Sequence, residues 1–239
     1  MVKRHFHIQT PAYRACQRSH ALAFFLILFF SLFHGISKST AATNEAFRCS
    51  WKIVQSRGAY PFSSIELDQS GNGQFRFQKL ESSVIAVDFH LNRPKVVSLY
   101  NLFIESNFLN ESKNFTSPRK VADLGMKTIR FETSKQTREV TFNFTEDKNL
   151  REINDFFENF DEQEKFLFEL ELALKHDRLG IPKRLDFLER EFKANRIVAP
   201  ERFRPILEKI SEDDSLINLA RKEARKLLYK LSKLQPQDN

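Results

Sequence analysis

Asp88 and His90 are the two side chains in this sequence whose types and spacing best suit chemistry. They are two residues apart in a stretch where apolar and other residues alternate, so on a β-strand both point to the same face. A carboxylate there can orient an imidazole that acts as a general base or as a metal ligand. Solvated positions on the exposed face of a strand explain the pair equally well. A periplasmic hydrolase or metal-dependent enzyme using Asp88 and His90 is therefore the alternative interpretation of the sequence.

Other patterns associated with catalysis are missing from the chain after residue 41. That part has no HExxH, CxxC, GxSxG or Walker-type sequence, and its histidines and cysteine are His90, His176 and Cys49. His176 ends a predicted helix, where a cationic imidazole favours the helix dipole, and Cys49 alternates with apolar residues typical of a core. Gly71-Asn72-Gly73 lacks the third glycine of a dinucleotide-binding loop and is predicted to be a hairpin turn. We therefore predict no catalytic residue, no cofactor and no metal site, and a protein that is not an enzyme.

The first 41 residues have the pattern of a secretory signal peptide. Residues 1–20 carry four basic and no acidic residues, residues 21–33 form an apolar run with Ser31 as its one polar residue, and small residues at 39–42 suit cleavage by a signal peptidase. The apolar run of 13 residues is shorter than the roughly 20 that a spanning helix needs. The prediction is export to the periplasm or the extracellular space. The alternative is an inner-membrane-anchored structural protein, which contacts the membrane only through an uncleaved signal.

The charge and the cysteine content after the leader limit the possible partners and the source of stability. The net charge of +7 includes five basic and no acidic residues within 1–41, so the remainder carries only +2. Because nucleic-acid binding depends on cationic contacts with phosphates, no nucleic-acid partner is predicted. Cys49 alone cannot form an internal disulfide, so stability must come from the core. The 19 phenylalanines after residue 41 are predicted to fill that core, with a phenylalanine-lined ligand cavity as the alternative.

Alternating apolar residues predict the strands that position these side chains. In residues 63–80 the alternation continues on both sides of the glycines, which predicts a β-hairpin. The same pattern predicts a first strand at 47–53, another at 84–91 and a second hairpin at 128–144. Apolar residues three and four apart predict a helix at 93–107 that covers the apolar face of the sheet.

The predicted fold class is α+β, with an all-helical region after the sheet. Residues 45–145 are predicted to form an antiparallel sheet of five to six strands packed on one helix, and residues 146–239 a helical region. Asp161 with Glu164 matches a capping box, which predicts a new helix at that point. Further helices are predicted after the stop signal at Gly180, at about residues 183–195, 200–211 and 214–234.

Several features between residues 60 and 160 occur in an order known from other proteins. They are Pro61, the strand Ser64–Asp68, Gly71 and Gly73, a helix ending at Phe108, and the hairpin Thr128–Phe144. In this order they resemble a family of uncharacterised secreted domains of bacteria, in which a cysteine often precedes the proline where this chain has Tyr60. The resemblance implies an exported domain of unknown activity, without catalytic residues to transfer.

Together, these observations predict an exported, non-enzymatic protein that binds an unknown protein or peptide partner. Strand addition at an open edge of the sheet is one physical route to such binding, with the helical surface as a second contact.

Overall fold

The computed structural model describes residues 46–115, 117, 121–122 and 124–234, and the predicted signal peptide at 1–41 lies outside the described residues. The predicted α+β class is confirmed, with six strands and five helices in the described part. The strands are β1 (Phe47–Val54), β2 (Phe62–Asp68), β3 (Asn72–Gln78), β4 (Val84–His90), β5 (Met126–Thr133) and β6 (Thr137–Phe142). The helices are α1 (Arg93–Glu105), α2 (Lys148–His176), α3 (Ile181–Lys193), α4 (Arg204–Glu212) and α5 (Asn218–Leu234), with 3₁₀ turns at Arg178–Gly180 and Pro200–Phe203.

The strands form one sheet in the order β4-β3-β2-β1-β5-β6, and every neighbouring pair is antiparallel. Both predicted hairpins are confirmed as β2–β3 and β5–β6. The first hairpin turns slightly earlier than the glycines suggest, because Asp68 Oδ1 accepts hydrogen bonds from the backbone N–H of Ser70 (2.9 Å) and Asn72 (3.1 Å). Gly71 has a φ of +89° in this turn, whereas Gly73 belongs to β3.

One face of the sheet is buried by two helices. The sequence predicts α1 as the cover, and α1 indeed stacks the ring of Phe103 on that of Phe131 from β5, with centroids 4.2 Å apart. The first half of α2 covers the face as well, since Phe160 contacts Phe89 of β4 with a centroid distance of 4.6 Å. The largest fully buried side chains include eight phenylalanines, as the core interpretation predicts: Phe75, Phe77, Phe103, Phe108, Phe131, Phe157, Phe160 and Phe203.

Helix α2 is continuous, and the predicted helix start at Asp161 is wrong. The helix runs for 29 residues after Asp147, whose side chain accepts a hydrogen bond from Leu150 N. No glycine or proline interrupts it. The two capping-box residues have other partners. Asp161 pairs with Lys165 at 2.6 Å, and the buried Glu164 accepts hydrogen bonds from Arg202 of a later segment. A capping-box pattern in a helix interior therefore does not mark an end when nothing breaks the backbone.

Helices α3, α4 and α5 form a second hydrophobic cluster with the last turns of α2. The buried alanines Ala220 and Ala224 let α5 approach its neighbours closely, and Leu227 and Leu231 continue the same stripe. The predicted boundaries shift by up to four residues at single ends. Helix α3 begins at Ile181, the segment opened by Pro200 begins as a 3₁₀ turn, and α5 begins at Asn218.

Candidate functional site

The uncovered face of the sheet carries the sequence-predicted pair Asp88 and His90, but each has a different neighbour. Asp88 Oδ1 accepts a hydrogen bond from Gln74 Nε2 at 2.9 Å, and His90 Nδ1 lies 3.0 Å from Asn72 Oδ1. Both partners belong to β3 and are the residues directly opposite in the register. The two side chains therefore share a face, as predicted, while their described hydrogen bonds run across the sheet to β3 and not between each other.

A wide polar depression of about 740 Å³ lies on this open face. Its charged lining consists of Arg48, Glu66, Asp68, Asp88, Arg130 and Glu132. The sheet register explains the clustering, because Arg48 is directly opposite Asp68 and Glu132, and Ser50 lies between Glu66 and Arg130. Side chains that are in register on neighbouring strands lie about 5 Å apart on one face.

Most charges of the depression already have neighbours of the opposite sign or hydrogen-bond donors. Arg130 forms an ion pair with Glu132 at 2.9 Å, and Glu66 forms one with Arg76 at 3.4 Å. Asp68 caps the β2–β3 turn. In residues 46–234, as far as they are described, no group of three or more His, Cys, Asp or Glu side chains is arranged to hold a metal ion. The depression thus presents a mixed, solvated surface with four carboxylates and two guanidinium groups.

The edge strand β4 is the most accessible hydrogen-bonding element beside this depression. Its backbone directions follow from the alternation of an antiparallel ladder. Leu91 N donates to Gly71 O at 2.8 Å, so the odd-numbered residues of β4 bond to β3. The N–H and C=O groups of Val84, Ala86, Asp88 and His90 consequently point away from the sheet. Among the residues that the structure describes, none donates to or accepts from these outward groups.

The side chains of β4 are exposed where the backbone is unpaired. All four even-numbered residues of the strand are exposed, with Val84 at 51%. On the other face, Ile85 and Val87 pack on the sheet core but are only half-buried, whereas Phe89 is 5% exposed. The edge therefore offers a strip of backbone polar groups flanked by apolar side chains that are incompletely covered.

The opposite edge differs, because described parts of the segment before β5 are attached to the end of β6. Asn143 Oδ1 accepts from Leu124 N at 2.9 Å, and Asn143 Nδ2 donates to Ala122 O at 2.9 Å. On the covered side, Arg138 of β6 donates to Phe108 O at 2.7 Å and holds the loop after α1. Of the two edges, β4 is therefore the better candidate for a binding site.

The remaining sequence candidates lie in structural positions. Cys49 is 3% exposed on the covered face, and burial, assisted by the charge of Asp68, raises the pKa of its thiol far above the ordinary value. Such a thiol is unreactive because only the thiolate is a strong nucleophile. His176 is the last residue of α2, and Asp177 accepts hydrogen bonds from Gly180 N at 3.2 Å and Arg184 at 2.7 Å.

A polar network between α2 and the β1–β2 turn was not predicted. Tyr60 donates to Glu169 Oε1 at 2.5 Å, and Lys79 donates to the same oxygen at 2.9 Å. Burial raises the pKa of the Tyr60 hydroxyl, and the bond to Glu169 raises it further. Burial likewise raises the pKa of Asp161, against the opposing effect of Lys165. Glu169 lies 109 positions from Tyr60 and 90 from Lys79 in the sequence, so no local pattern could have brought these three residues together.

No protein-family model matches the chain, and no curated protein matches it. The resemblance to secreted bacterial domains accordingly stays a prediction. None of the helices in the described ranges has the length and apolar character required to cross a membrane.

Proposed function

We propose that this chain is an exported, non-enzymatic protein that binds an extended segment of another protein by adding it as a new strand beside β4. The observation that carries the proposal is the unpaired outer edge of β4, where four successive outward positions are exposed. Backbone hydrogen bonds to such an edge supply affinity in strand addition, and the side chains beside it supply specificity.

The edge of β4 has few of the features that protect edge strands from unwanted pairing. Proteins commonly place prolines, lysines or bulges there, or cover the edge with another element. The sequence of β4, VIAVDFH, contains neither proline nor lysine, and it pairs with β3 at all seven positions without a bulge. A partly apolar edge of this length without a bulge is expected to be used for binding or else to cause aggregation.

The non-enzymatic part of the proposal is supported by the neighbours of Asp88 and His90. A base and the group that orients it need to be within hydrogen-bond reach of each other. Here the described partners of the two side chains are Gln74 and Asn72. Export is proposed from the leader pattern, with retention as a membrane anchor as the alternative.

The decisive variant for strand addition is Ala86→Pro. The N–H of Ala86 points outward, so proline removes a donor needed by an added strand and leaves the bonds to β3 intact. Ala86→Thr keeps this N–H and serves as the matched control. The tagged proteins are used to capture partners from a periplasmic extract, with circular dichroism showing that each variant is folded.

The proposal expects proteins that are captured by the wild type and by Ala86→Thr but lost with Ala86→Pro. Capture that is equal for all three proteins, or no protein above background, contradicts it. Export is tested by the mass of the mature chain. Loss of about 41 residues supports it, and a cytosolic chain that begins at Met1 contradicts it.

A further inference from the structure

The side chains along β4 restrict the kind of segment that can pair with it. A residue placed directly opposite an even-numbered residue of β4 faces the open side of the sheet, and its neighbours face the covered side. Val84 and Asp88 therefore lie opposite two residues of the partner that are four positions apart. Ile85 and Val87 lie opposite two partner residues that stand between those two.

Asp88 is the charged group of this edge. It is exposed, and its one described hydrogen bond comes from the neutral amide of Gln74, so one carboxylate oxygen has no described partner. Among the described residues, no Lys, Arg or His nitrogen lies within ion-pair distance of it. A lysine or arginine opposite Asp88 would therefore meet an unneutralised carboxylate, whereas an acidic residue would be repelled.

The apolar positions of the edge call for apolar partners. Ile85 and Val87 lie at the border of the sheet core, half-buried, and side chains added beside them complete their burial. This apolar strip ends at Phe89, which is 5% exposed and has the Arg202 guanidinium 5.8 Å from its ring centroid. Val84, at 51% exposure, offers an apolar contact on the open face.

We infer that β4 accepts a segment with a basic residue opposite Asp88, apolar residues opposite Val87 and Ile85, and a further apolar residue opposite Val84. For an antiparallel strand, which is the arrangement of every pair in this sheet, the order from the amino end is basic, apolar, any, apolar, apolar. This inference rests on the proposed strand addition and names the chemistry of the partner.

Two synthetic peptides test the inference. The basic probe is Thr-Lys-Val-Thr-Val-Val-Thr with blocked ends and a fluorescent label, and the acidic probe has Glu in place of Lys. Their dissociation constants for the purified protein are measured by fluorescence anisotropy at low salt. We expect the basic probe to bind about three- to tenfold more tightly than the acidic one, because a favourable cross-strand charge pair replaces a repulsive one.

A charge reversal at Asp88 supplies the matched control. Asp88→Lys should invert the preference, so that the acidic probe binds more tightly, and Asp88→Asn should abolish the preference. Equal binding of both probes to the wild type, or no binding of the basic probe, overturns the inference.

Failure of the inference is distinguishable from failure of the proposed function. If Ala86→Pro abolishes binding of both probes while their affinities are equal, strand addition holds and the charge preference is wrong. If Ala86→Pro leaves binding of the basic probe unchanged, binding does not use the edge of β4, and both proposals fail.

Discussion

Trp51 of β1 donates a hydrogen bond from its indole Nε1 to Oδ1 of Asn154 on α2, at 3.1 Å. Trp51 is completely buried and Asn154 is 5% exposed. The bond joins the central strand of the sheet to the helix that covers it, across 103 positions of sequence. It is a buried polar contact between α2 and the sheet, beside the stacking of Trp51 on Phe157.

Asn154→Leu should destabilise the protein by about 1–3 kcal/mol, because it leaves the buried indole N–H without an acceptor. The free energy of unfolding is measured by urea denaturation followed by circular dichroism. In a double-mutant cycle with Trp51→Phe, the double variant should lose less stability than the sum of the losses in the two single variants. Asn159→Ala, at a half-buried position on the same helix without a described side-chain hydrogen bond, is the control and should change stability by about 0.5 kcal/mol or less. A coupling energy of zero contradicts the importance of the bond.

Arg202→Met should destabilise the protein by about 3–5 kcal/mol, since it leaves a buried carboxylate unpaired. Arg202 donates two hydrogen bonds of 2.6 Å to Glu164, whose side chain is 2% exposed. Urea denaturation checks the loss, and a companion variant, Glu164→Gln with Arg202→Met, should recover part of it. Arg190→Met removes an exposed ion pair to Asp186 and should have little effect. Similar losses of stability in Arg202→Met and Arg190→Met would contradict a larger contribution of the buried pair.

Glu189→Gln should remove a pH dependence of stability below pH 5. Hydrogen bonds from Lys226 and Lys230, at 2.8 and 2.5 Å, lower the pKa of the Glu189 carboxyl to about 2. Because this value lies below the roughly 4.3 of an unfolded chain, the ionised group stabilises the fold above that pH, and the contribution is lost as the pH falls toward 2.

The Glu189→Gln variant is expected to be about 1–2 kcal/mol less stable than the wild type at pH 7, with the difference shrinking as the pH is lowered from 5 to 2. Urea midpoints at several pH values measure this trend. The control Asp186→Asn, in an exposed pair, should run parallel to the wild type. A difference that is constant with pH would show that the lysines do not act on this carboxyl.

Gly73→Ala should destabilise the sheet by about 1–3 kcal/mol through overpacking. A Cβ at this position would lie 2.3 Å from Cζ of Phe89 and 2.4 Å from the backbone oxygen of Glu66. Phe89→Leu should relieve the first clash and not the second, so the double variant recovers only part of the loss. Thermal unfolding compares these variants with Gln74→Ala, an adjacent position on the open face that should be tolerated.

The strands could be predicted from the sequence because their information is local. Alternation on both sides of a turn predicts that Ile65 and Phe75 share one face, as observed, whereas their direct pairing depends on a turn that lies earlier than the glycines suggest. The shared face of Asp88 and His90 followed from the same period of two. The depression could not be predicted, because it depends on β5 pairing with β1, which brings Arg130 into line with Ser50 and Glu66 from distant parts of the chain.

The helices show the limits of local rules in the other direction. Asp161 and Glu164 satisfy a capping pattern, yet Glu164 is held by Arg202, 38 positions away, and the helix continues. The exposure of the outer edge of β4 likewise depends on where the other elements of the fold lie, and not on the sequence of β4 itself. No pattern within VIAVDFH predicts that the described part of the chain leaves its outer edge unpaired.

The place of β1 in the sheet has a consequence for biosynthesis. Of the six described strands it is the first to be synthesised, yet it lies in the middle of the sheet and pairs with both β2 and β5. The edge of β1 that pairs with β5 has no partner strand until residues 126–133 have been synthesised. We therefore expect a chain truncated before β5 to expose the unpaired edge of β1 and to aggregate instead of forming a smaller stable protein.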